Sequence, residues 1–179
     1  MADSNITKRA LAHALKELME EKNFSKISVA DICEKSDMNR KSFYYHFKDK
    51  YDLVNWIFDT EFISVLNQQN EGPRNSMEAI EALSVYFYKN HNFYRKALSV
   101  EGQNSFVSHF HELMSVSFRS RLRGLAGSEK VTDFQINFFA DAAVLIFQRW
   151  ILDKNCMTPD EFVTQLKICL QYIIQYETL

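Results

Sequence analysis

The segment SDMNRKSFYYHFKDK, residues 36–50, decides how the rest of this sequence is interpreted. It surrounds a run of five rings, Phe43 to Phe47, with four cations. If a helix begins after Asn39, Phe43 and Phe47 lie one turn apart and share a face that is suited to a core. The opposite face then presents polar and charged groups to solvent, namely Arg40, Lys41, Tyr44 and Lys48. Because such side chains pair with phosphates and base edges, the segment indicates contact with a nucleic acid.

The residues before this segment predict a second short helix at a fixed spacing. Ser28 opens that helix, with Asp31 in the position of a capping box, and the helix ends near Lys35. A turn of about three residues, 36–38, joins it to the helix that Asn39 caps. These are the dimensions of a helix-turn-helix, whose second helix enters the major groove. The alternative is a charged pair of surface helices in a bundle, and the tight turn with its clustered charge favours the first interpretation.

The rest of the sequence predicts an all-α fold of about nine helices. The composition is 46% apolar and 14% aromatic, enough for a sizeable core, and only 4 glycines and 2 prolines interrupt the helical patterns. Residues 1–50 carry 10 Lys and Arg against 8 Asp and Glu, whereas residues 51–179 carry 11 against 15. This distribution excludes a uniformly basic coat, and it concentrates positive charge where a local phosphate contact requires it.

The cysteines and the N-terminal residues indicate a protein of the cytoplasm. Cys33, Cys156 and Cys169 are widely spaced and form no C-x-x-C motif, which favours buried thiols in a reducing compartment. The opening residues MADSNITKRA lack the apolar segment of a signal peptide. No apolar run reaches the roughly 18 residues that a membrane span requires, so we expect no membrane contact.

No motif in the sequence predicts catalysis, a metal site or a cofactor. His109 and His111 point about 200° apart on a helix, which disfavours a shared metal, since ligands four residues apart would be needed. The other histidines have no carboxylate or cysteine partner at ligand spacing. No nucleophile elbow, P-loop or dinucleotide-binding fingerprint is present. We therefore expect that the protein is not an enzyme.

The run SVADICEKSDMNRKSFYYHFKDKYDLV, residues 28–54, resembles the DNA-binding segment of the TetR family of bacterial transcriptional regulators. The shared elements are the Ser-Val start, the aromatic run with its histidine, and a lysine three residues after that run. Two positions depart from the family pattern. Asp37 stands where glycine is usual, and aspartate tolerates a left-handed backbone better than most residues do. Lys41 stands where glycine or proline is common, so the base preference of relatives cannot be transferred.

The resemblance implies a role for each polar residue of this segment. Phosphates would be held by Ser28, Tyr44, His46 and Lys50. Base edges would be faced or approached by Asn39, Arg40, Lys41, Ser42 and Tyr45. Phe43 and Phe47 would pack inside. His46 has an alternative, since it could cap a helix or pack between helices without touching DNA.

The resemblance also implies a homodimer built on the last two helices. We expect a three-helix DNA-binding domain over residues 1–49 and a helical effector-binding and dimerisation domain over residues 50–179. The helical patterns near 130–154 and 158–177 are apolar on more than one side, so each helix needs more than one neighbour. The expected interface consists of Phe139, Ala143, Phe147, Trp150, Phe162, Leu166, Leu170 and Ile173. The alternative is a monomeric bundle with a central helix.

In the family, the middle helices normally enclose the effector. Candidate lining residues are Phe87, Tyr88, Phe93, Tyr94, Phe106, Phe110 and Phe118, although aromatic residues at helical spacing are more often plain core. The segment FYRKALSVEGQNSF, residues 93–106, is similar to that of the DhaS-like branch, the regulators of dihydroxyacetone kinase operons. In that branch a kinase-like partner protein delivers the signal. The effector is therefore either a small molecule or a protein.

These observations predict a regulator that binds double-stranded, near-palindromic operator DNA as a homodimer. Repression is favoured over activation, because occluding a promoter requires only binding. Two alternatives remain open. One is a helical interaction module or co-activator of the DhaS type without DNA binding of its own. The other is a small-molecule carrier or an enzyme built on the helical bundle.

Overall fold

The computed structural model describes residues 2–68, 76–100, 105–126 and 130–176, and most residues in these ranges are helical. They contain nine α-helices and no strand, which confirms the predicted fold class. The helices are α1 Ala2–Glu21, α2 Val29–Lys35, α3 Arg40–His46, α4 Lys50–Gln68, α5 Ser76–Lys89, α6 His91–Leu98, α7 Phe106–Ala126, α8 Asp133–Leu152 and α9 Pro159–Tyr176, with a 3-10 turn at Phe24–Lys26. Within the described ranges, every helix is too short or too polar to cross a membrane.

Helices α1 to α3 and the start of α4 pack around two rings of α3. Phe43 and Phe47 are buried, together with Leu15 of α1 and Ile32 of α2. Burying a phenylalanine side chain contributes about 1.5–3 kcal/mol relative to leaving it exposed, so these two rings account for much of the stability of a domain this small. The apolar face that was predicted for α3 is therefore the face that the fold buries.

A second core forms where α4 meets helices α5 to α8. The ring of Phe58 on α4 lies 5.2 to 6.0 Å from the rings of four buried aromatic residues, Phe87, Tyr94, Phe106 and Phe110. Phe93 is buried beside Tyr94, with 5.0 Å between ring centroids. Five of the seven residues predicted to line an effector pocket thus pack against one another as core. Their contact with an effector stays a prediction.

Three residues of the predicted dimer interface are buried in the core of a single protomer, and their contact with a partner stays a prediction. Trp150 stacks on Phe162 at 4.1 Å, and Phe147 packs edge-on against Phe162 at 5.2 Å, so all three are buried within one protomer. A residue buried by its own chain has little surface left to offer a partner. Of the other predicted residues, Phe139 and Leu170 are exposed, and Ala143 and Leu166 are half-buried. The side chain of Ile173 lies outside the described residues.

A different face of α8 carries the exposed apolar residues. Phe134 is 79% exposed and Phe138 is 60% exposed, and Leu145 and Ile146 continue the exposed apolar surface toward the end of the helix. We refer to Phe134, Phe138, Leu145 and Ile146 as the outer face of α8. The helical pattern predicts a second apolar face of this helix through Phe138, Ala142, Leu145, Ile146 and Trp150, without Phe134. Of these, Ala142 is half-buried and Trp150 is buried.

Helix α6 joins the N-terminal helices to the C-terminal bundle through two adjacent cations, Arg95 and Lys96. Lys96 donates to the carbonyls of Met19 and Glu20 in the last turn of α1. Arg95 donates to the carbonyls of Ile151 and Asp153 at the end of α8, at 3.1 and 2.5 Å. The last turn of a helix leaves carbonyls without intrahelical donors, and cations interact favourably with that end. Helix α6 therefore caps two other helices at once.

A chain of polar side chains close to α6 connects α1 to helices α4, α5 and α6. Lys16 of α1 pairs with Glu61 of α4. The Tyr86 hydroxyl donates to the other oxygen of Glu61 at 3.0 Å, and the hydroxyls of Tyr86 and Tyr94 lie 2.6 Å apart. Burial raises the pKa of both tyrosines, with the charge of Glu61 adding to the effect at Tyr86, so both phenols stay protonated and remain hydrogen-bond donors.

We expect Lys96→Met to lower the free energy of unfolding by about 1 kcal/mol, because the carbonyls at the end of α1 lose a donor while the aliphatic packing is kept. Urea denaturation at fixed protein concentration measures the change. Lys89→Met is the control, since it removes the same charge from an exposed position on α5. Equal losses for the two variants would show that the Lys96 contact does not stabilise the fold.

Candidate nucleic-acid interface

The start of α2 is fixed by the capping box that the sequence predicted. The Asp31 backbone N–H donates to Ser28 Oγ at 3.1 Å, and the Ser28 backbone N–H donates to Asp31 Oδ2 at 2.7 Å. The Ser28 hydroxyl also donates to Asp31, at 2.6 Å. These bonds stabilise the carboxylate, and the hydroxyl of Ser28 is the main reason that the pKa of Asp31 lies below its usual value. Ser28 itself is exposed, at the edge where a phosphate contact is predicted.

The turn between α2 and α3 requires one residue with a positive φ. Asp37 has φ of 54°, the left-handed conformation for which glycine is the common choice and aspartate a tolerated one. The Met38 N–H then returns to the Cys33 carbonyl at 2.9 Å, and Ser36 Oγ donates to the Ile32 carbonyl at 2.8 Å. The departure of Asp37 from the family pattern is therefore compatible with the tight turn.

Helix α3 begins at an asparagine cap and separates its buried and exposed faces cleanly. The Ser42 N–H donates to Asn39 Oδ1 at 2.8 Å, which fixes the first turn. Tyr44 is 51% exposed and Tyr45 is 82% exposed, and the cations Arg40 and Lys41 are exposed beside them. Two cations and two phenols thus stand on one short helix whose position is set by Phe43 and Phe47. This surface can pair with phosphates and with the acceptor atoms of guanine.

His46 lies between two rings at the end of α3. Its ring centroid is 4.8 Å from that of Tyr45 and 6.4 Å from that of Phe47, and the side chain is half-buried. The packing alternative for His46 therefore describes its surroundings in this structure. A phosphate contact stays a prediction, because part of the ring remains accessible.

Lys50 is placed differently from what the family resemblance implied. Its ammonium group donates to the carbonyls of Phe24, Ser25 and Ile27, at 2.7, 3.3 and 2.7 Å. It also lies 4.6 Å from the centre of the Phe24 ring. A lysine has three N–H donors, and all three have protein acceptors here. The Lys50 ammonium is thus already bound by the protein in this structure, and its contact with a phosphate stays a prediction.

Lys48, unlike Lys50, does not direct its side chain to the carbonyls of residues 24–27. Its side chain is exposed, while its backbone N–H donates to Asp52 Oδ2 at 2.9 Å. Asp49 caps α4 by accepting from the backbone N–H groups of Tyr51 and Asp52, at 2.8 and 2.9 Å. The corner between α3 and α4 is thus rigid, and it presents the Lys48 cation at the end of the same surface.

The two histidines singled out in the sequence lie apart from this surface and from each other. His109 Nε2 is 2.8 Å from Asp59 of α4, and His111 Nε2 is 2.8 Å from Asp141 of α8. Each ring thus pairs with a carboxylate on a different helix. In the part of the chain that the structure describes, no three metal-binding side chains converge.

Comparison with known proteins gives two family matches. Residues 11–57 match the model of bacterial regulatory proteins of the tetR family, and residues 74–172 match a transcriptional regulator C-terminal region. The chain is also 31% identical, over 103 residues, to the HTH-type dhaKLM operon transcriptional activator DhaS of Lactococcus lactis subsp. lactis (strain IL1403). That match covers 56% of this chain and 54% of DhaS, so the chain spans about half the length of the curated relative it matches.

Two solved structures share the fold over nearly the whole chain. A TetR transcriptional regulator from Streptococcus agalactiae 2603V superposes with a TM-score of 0.67 at 21% identity, covering 92% of this chain and 93% of that one. The dihydroxyacetone kinase operon activator DhaS superposes with a TM-score of 0.63 at 22% identity, covering 96% and 97% of the two chains. At these identities the likeness shows a common arrangement of helices.

We expect Asp31→Ala to destabilise the protein at pH 7 and to matter less as the pH falls. The folded-state pKa of Asp31 is depressed, so its contribution is fully present above the usual value of about 3.9 and is lost as the pH falls through the folded value. Urea denaturation of wild type and variant between pH 7 and pH 3 measures the difference. Glu34→Ala on the same helix is the control. A difference that does not shrink in acid would contradict the capping role of the carboxylate.

Proposed function

Because the chain belongs to the TetR family of bacterial transcriptional regulators, we propose that it binds operator DNA by placing α3 in the major groove. The observation that carries this proposal is the surface of α3, where exposed Arg40, Lys41, Tyr44 and Tyr45 stand on a helix fixed by two buried rings. A solvated surface helix has no comparable need for two phenols beside two cations. A recognition helix in a helix-turn-helix uses both kinds of side chain, because cations and tyrosine hydroxyls can each bind DNA phosphates.

The groups on this surface divide into two roles. Arg40 and Lys41 approach base edges, since long cations can reach the paired acceptors of guanine from the first turn of a recognition helix. Ser28, Tyr44 and Lys48 lie toward the flanking backbone and hold phosphates, which sets the register without reading sequence. The side-chain oxygen of Asn39 accepts from the Ser42 N–H to cap α3, and its amide N–H groups remain available for a base.

The protein acts as a homodimer in this proposal, with the outer face of α8 at its centre. Large apolar side chains exposed in a row on one helix mark an interaction surface more often than a free one. Leu170 of α9 is also exposed and extends the apolar surface to the last helix. In the TetR family the last two helices form the dimer contact, and a twofold axis there places two copies of α3 on a near-palindromic operator.

Control by an effector acts through the C-terminal domain. What supports this is the set of contacts that link the bundle to α1, namely Lys96 with the carbonyls of Met19 and Glu20, and Lys16 with Glu61. An effector that favours one arrangement of α4 and α6 changes the fraction of dimers whose two α3 helices are correctly spaced for successive major grooves. In this scheme the protein is a cytoplasmic repressor rather than an enzyme, and it needs no metal or cofactor.

A second candidate function is transcriptional activation with a signal delivered by a partner protein. The observation that favours it is the 31% identity to DhaS, which is named as an activator. The strongest version of this second candidate is a co-activator that has no affinity for DNA of its own. The two candidates differ in whether the purified protein binds DNA, so one experiment separates them.

We expect purified wild type to select one sequence from a pool of random duplexes, with affinity that falls steeply as salt increases. Arg40→Ala/Tyr44→Ala should lose the selection and weaken binding by about a hundredfold, because it removes two contacts and each lost base or phosphate contact costs about a factor of ten. Arg123→Ala, an exposed cation on α7, is the control and should bind as wild type does. No selection by wild type would contradict the proposal and favour the co-activator.

We expect Phe138→Glu to convert the dimer to a monomer, because a charge would be buried at the twofold contact without a partner. Sedimentation velocity at micromolar concentration measures the change. Val116→Glu is the matched control, since Val116 is 69% exposed on α7. If Phe138→Glu sediments as wild type does, the outer face of α8 is not the dimer contact.

A further inference from the structure

Lys50 connects the two ends of the helix-turn-helix. The unit begins at Ser28, directly after Ile27, and it ends at His46, four residues before Lys50. The ammonium group of Lys50 donates to the Ile27 carbonyl at 2.7 Å and to the Phe24 carbonyl at 2.7 Å. These two bonds therefore tie the chain segment that enters α2 to the first residue of α4, which follows α3.

The connector between α1 and α2 needs an external donor of this kind. Its 3-10 turn, Phe24–Lys26, is too short to satisfy its own carbonyls, and within the connector the Phe24 carbonyl receives only the Ile27 N–H, at 3.2 Å. An ammonium group offers three donors from one point, so it can bind three carbonyls that converge. The Phe24 ring, which is itself buried, adds a cation–π contact at 4.6 Å.

The surroundings of the Lys50 side chain also bury it in part. Burial lowers the pKa of Lys50, and the charges of Asp31 and Asp49 partly offset this by favouring the ammonium form. A phosphate would have to displace at least one carbonyl to reach this group. Exposed Lys48, two residues earlier, offers a phosphate an ammonium group without that cost.

We propose that Lys50 is a positioning residue for operator recognition, which sets the placement of α2 and α3 by holding the connector carbonyls and does not touch DNA. Through Ile27 it fixes the backbone of Ser28 and thus the edge predicted to meet a phosphate. Through Asp49 and the start of α4 it fixes the end of α3. This inference rests on the proposed DNA-binding function, and it concerns how sharply that function discriminates between sequences.

The test compares Lys50→Met, Lys50→Gln and Lys48→Met with wild type on two duplexes. One is the sequence that wild type selects from a random pool, and the other is a scrambled duplex of the same length. Affinities are measured at several salt concentrations, at a temperature where circular dichroism shows every variant to be folded. Two quantities are extracted, the slope of log affinity against log salt and the ratio of the two affinities.

For Lys48→Met we expect both affinities to fall together and the salt slope to decrease by about 0.9, the signature of one lost phosphate contact. For Lys50→Met we expect an unchanged slope and an affinity ratio that falls about tenfold, comparable to one mismatched base pair in the site. Lys50→Gln should recover part of the ratio, because its amide can still donate to the connector carbonyls.

Three outcomes would overturn the inference. A slope lower by about 0.9 for both Lys50 variants would make Lys50 a phosphate ligand after all. An unchanged affinity ratio would reduce its role to general stability, since partial unfolding lowers both affinities equally. If wild type selects no sequence, the proposed function fails first and the inference fails with it. If Lys50→Met does not fold, the salt slope and the affinity ratio are measured for Lys50→Gln alone. A lower slope or an unchanged ratio for that variant then overturns the inference.

Discussion

The constraint on which the fold depends is the set of backbone carbonyls between the last turn of α1 and the start of α2. Five of them, at Met19, Glu20, Phe24, Ser25 and Ile27, accept hydrogen bonds from two lysines that come from different parts of the chain. Lys96 reaches this corner from α6, and Lys50 reaches it from the start of α4. A helix end with its carbonyls unsatisfied would be costly to bury. The two cations make it possible for α1 to end against both domains.

This arrangement has consequences for movement. Helix α6 is held at both sides, through Lys96 at α1 and through Arg95 at the end of α8. In the proposed homodimer, a displacement of α8 relative to the partner subunit would therefore act on α6, the helix that caps α1. The aromatic core around Phe58 packs α4 against the bundle, and closely packed rings resist gradual deformation. In the proposed control by an effector, these contacts carry a shift of the bundle to α4 and α1.

The sequence predicted contacts between residues that are close along the chain, and it missed contacts between residues that are far apart along the chain. The caps at Ser28 and Asn39, the left-handed turn at Asp37 and the buried pair Phe43 and Phe47 each depend on residues within one or two turns of helix, so spacing alone reveals them. The carbonyls that Lys50 binds lie more than twenty positions away, and no periodicity connects the two. The packing of Trp150 on Phe162 within one protomer was missed for a related reason. A helix that is apolar on two sides does not tell which side its own chain will cover, and α9 covered the side that carries Trp150.

The exposed side chains of Arg40 and Lys41 stand apart from the residues that hold the helix-turn-helix together. The cap at Asn39, the rings of Phe43 and Phe47 and the tie at Lys50 maintain the shape of the unit, while the two cations project from it. Mutation at positions 40 and 41 therefore has little effect on folding. If these two cations read base edges as proposed, a lineage that duplicates this gene can explore new target sequences at these two positions while the fold is kept. Divergence among paralogues should accordingly concentrate there, while the supporting residues change slowly.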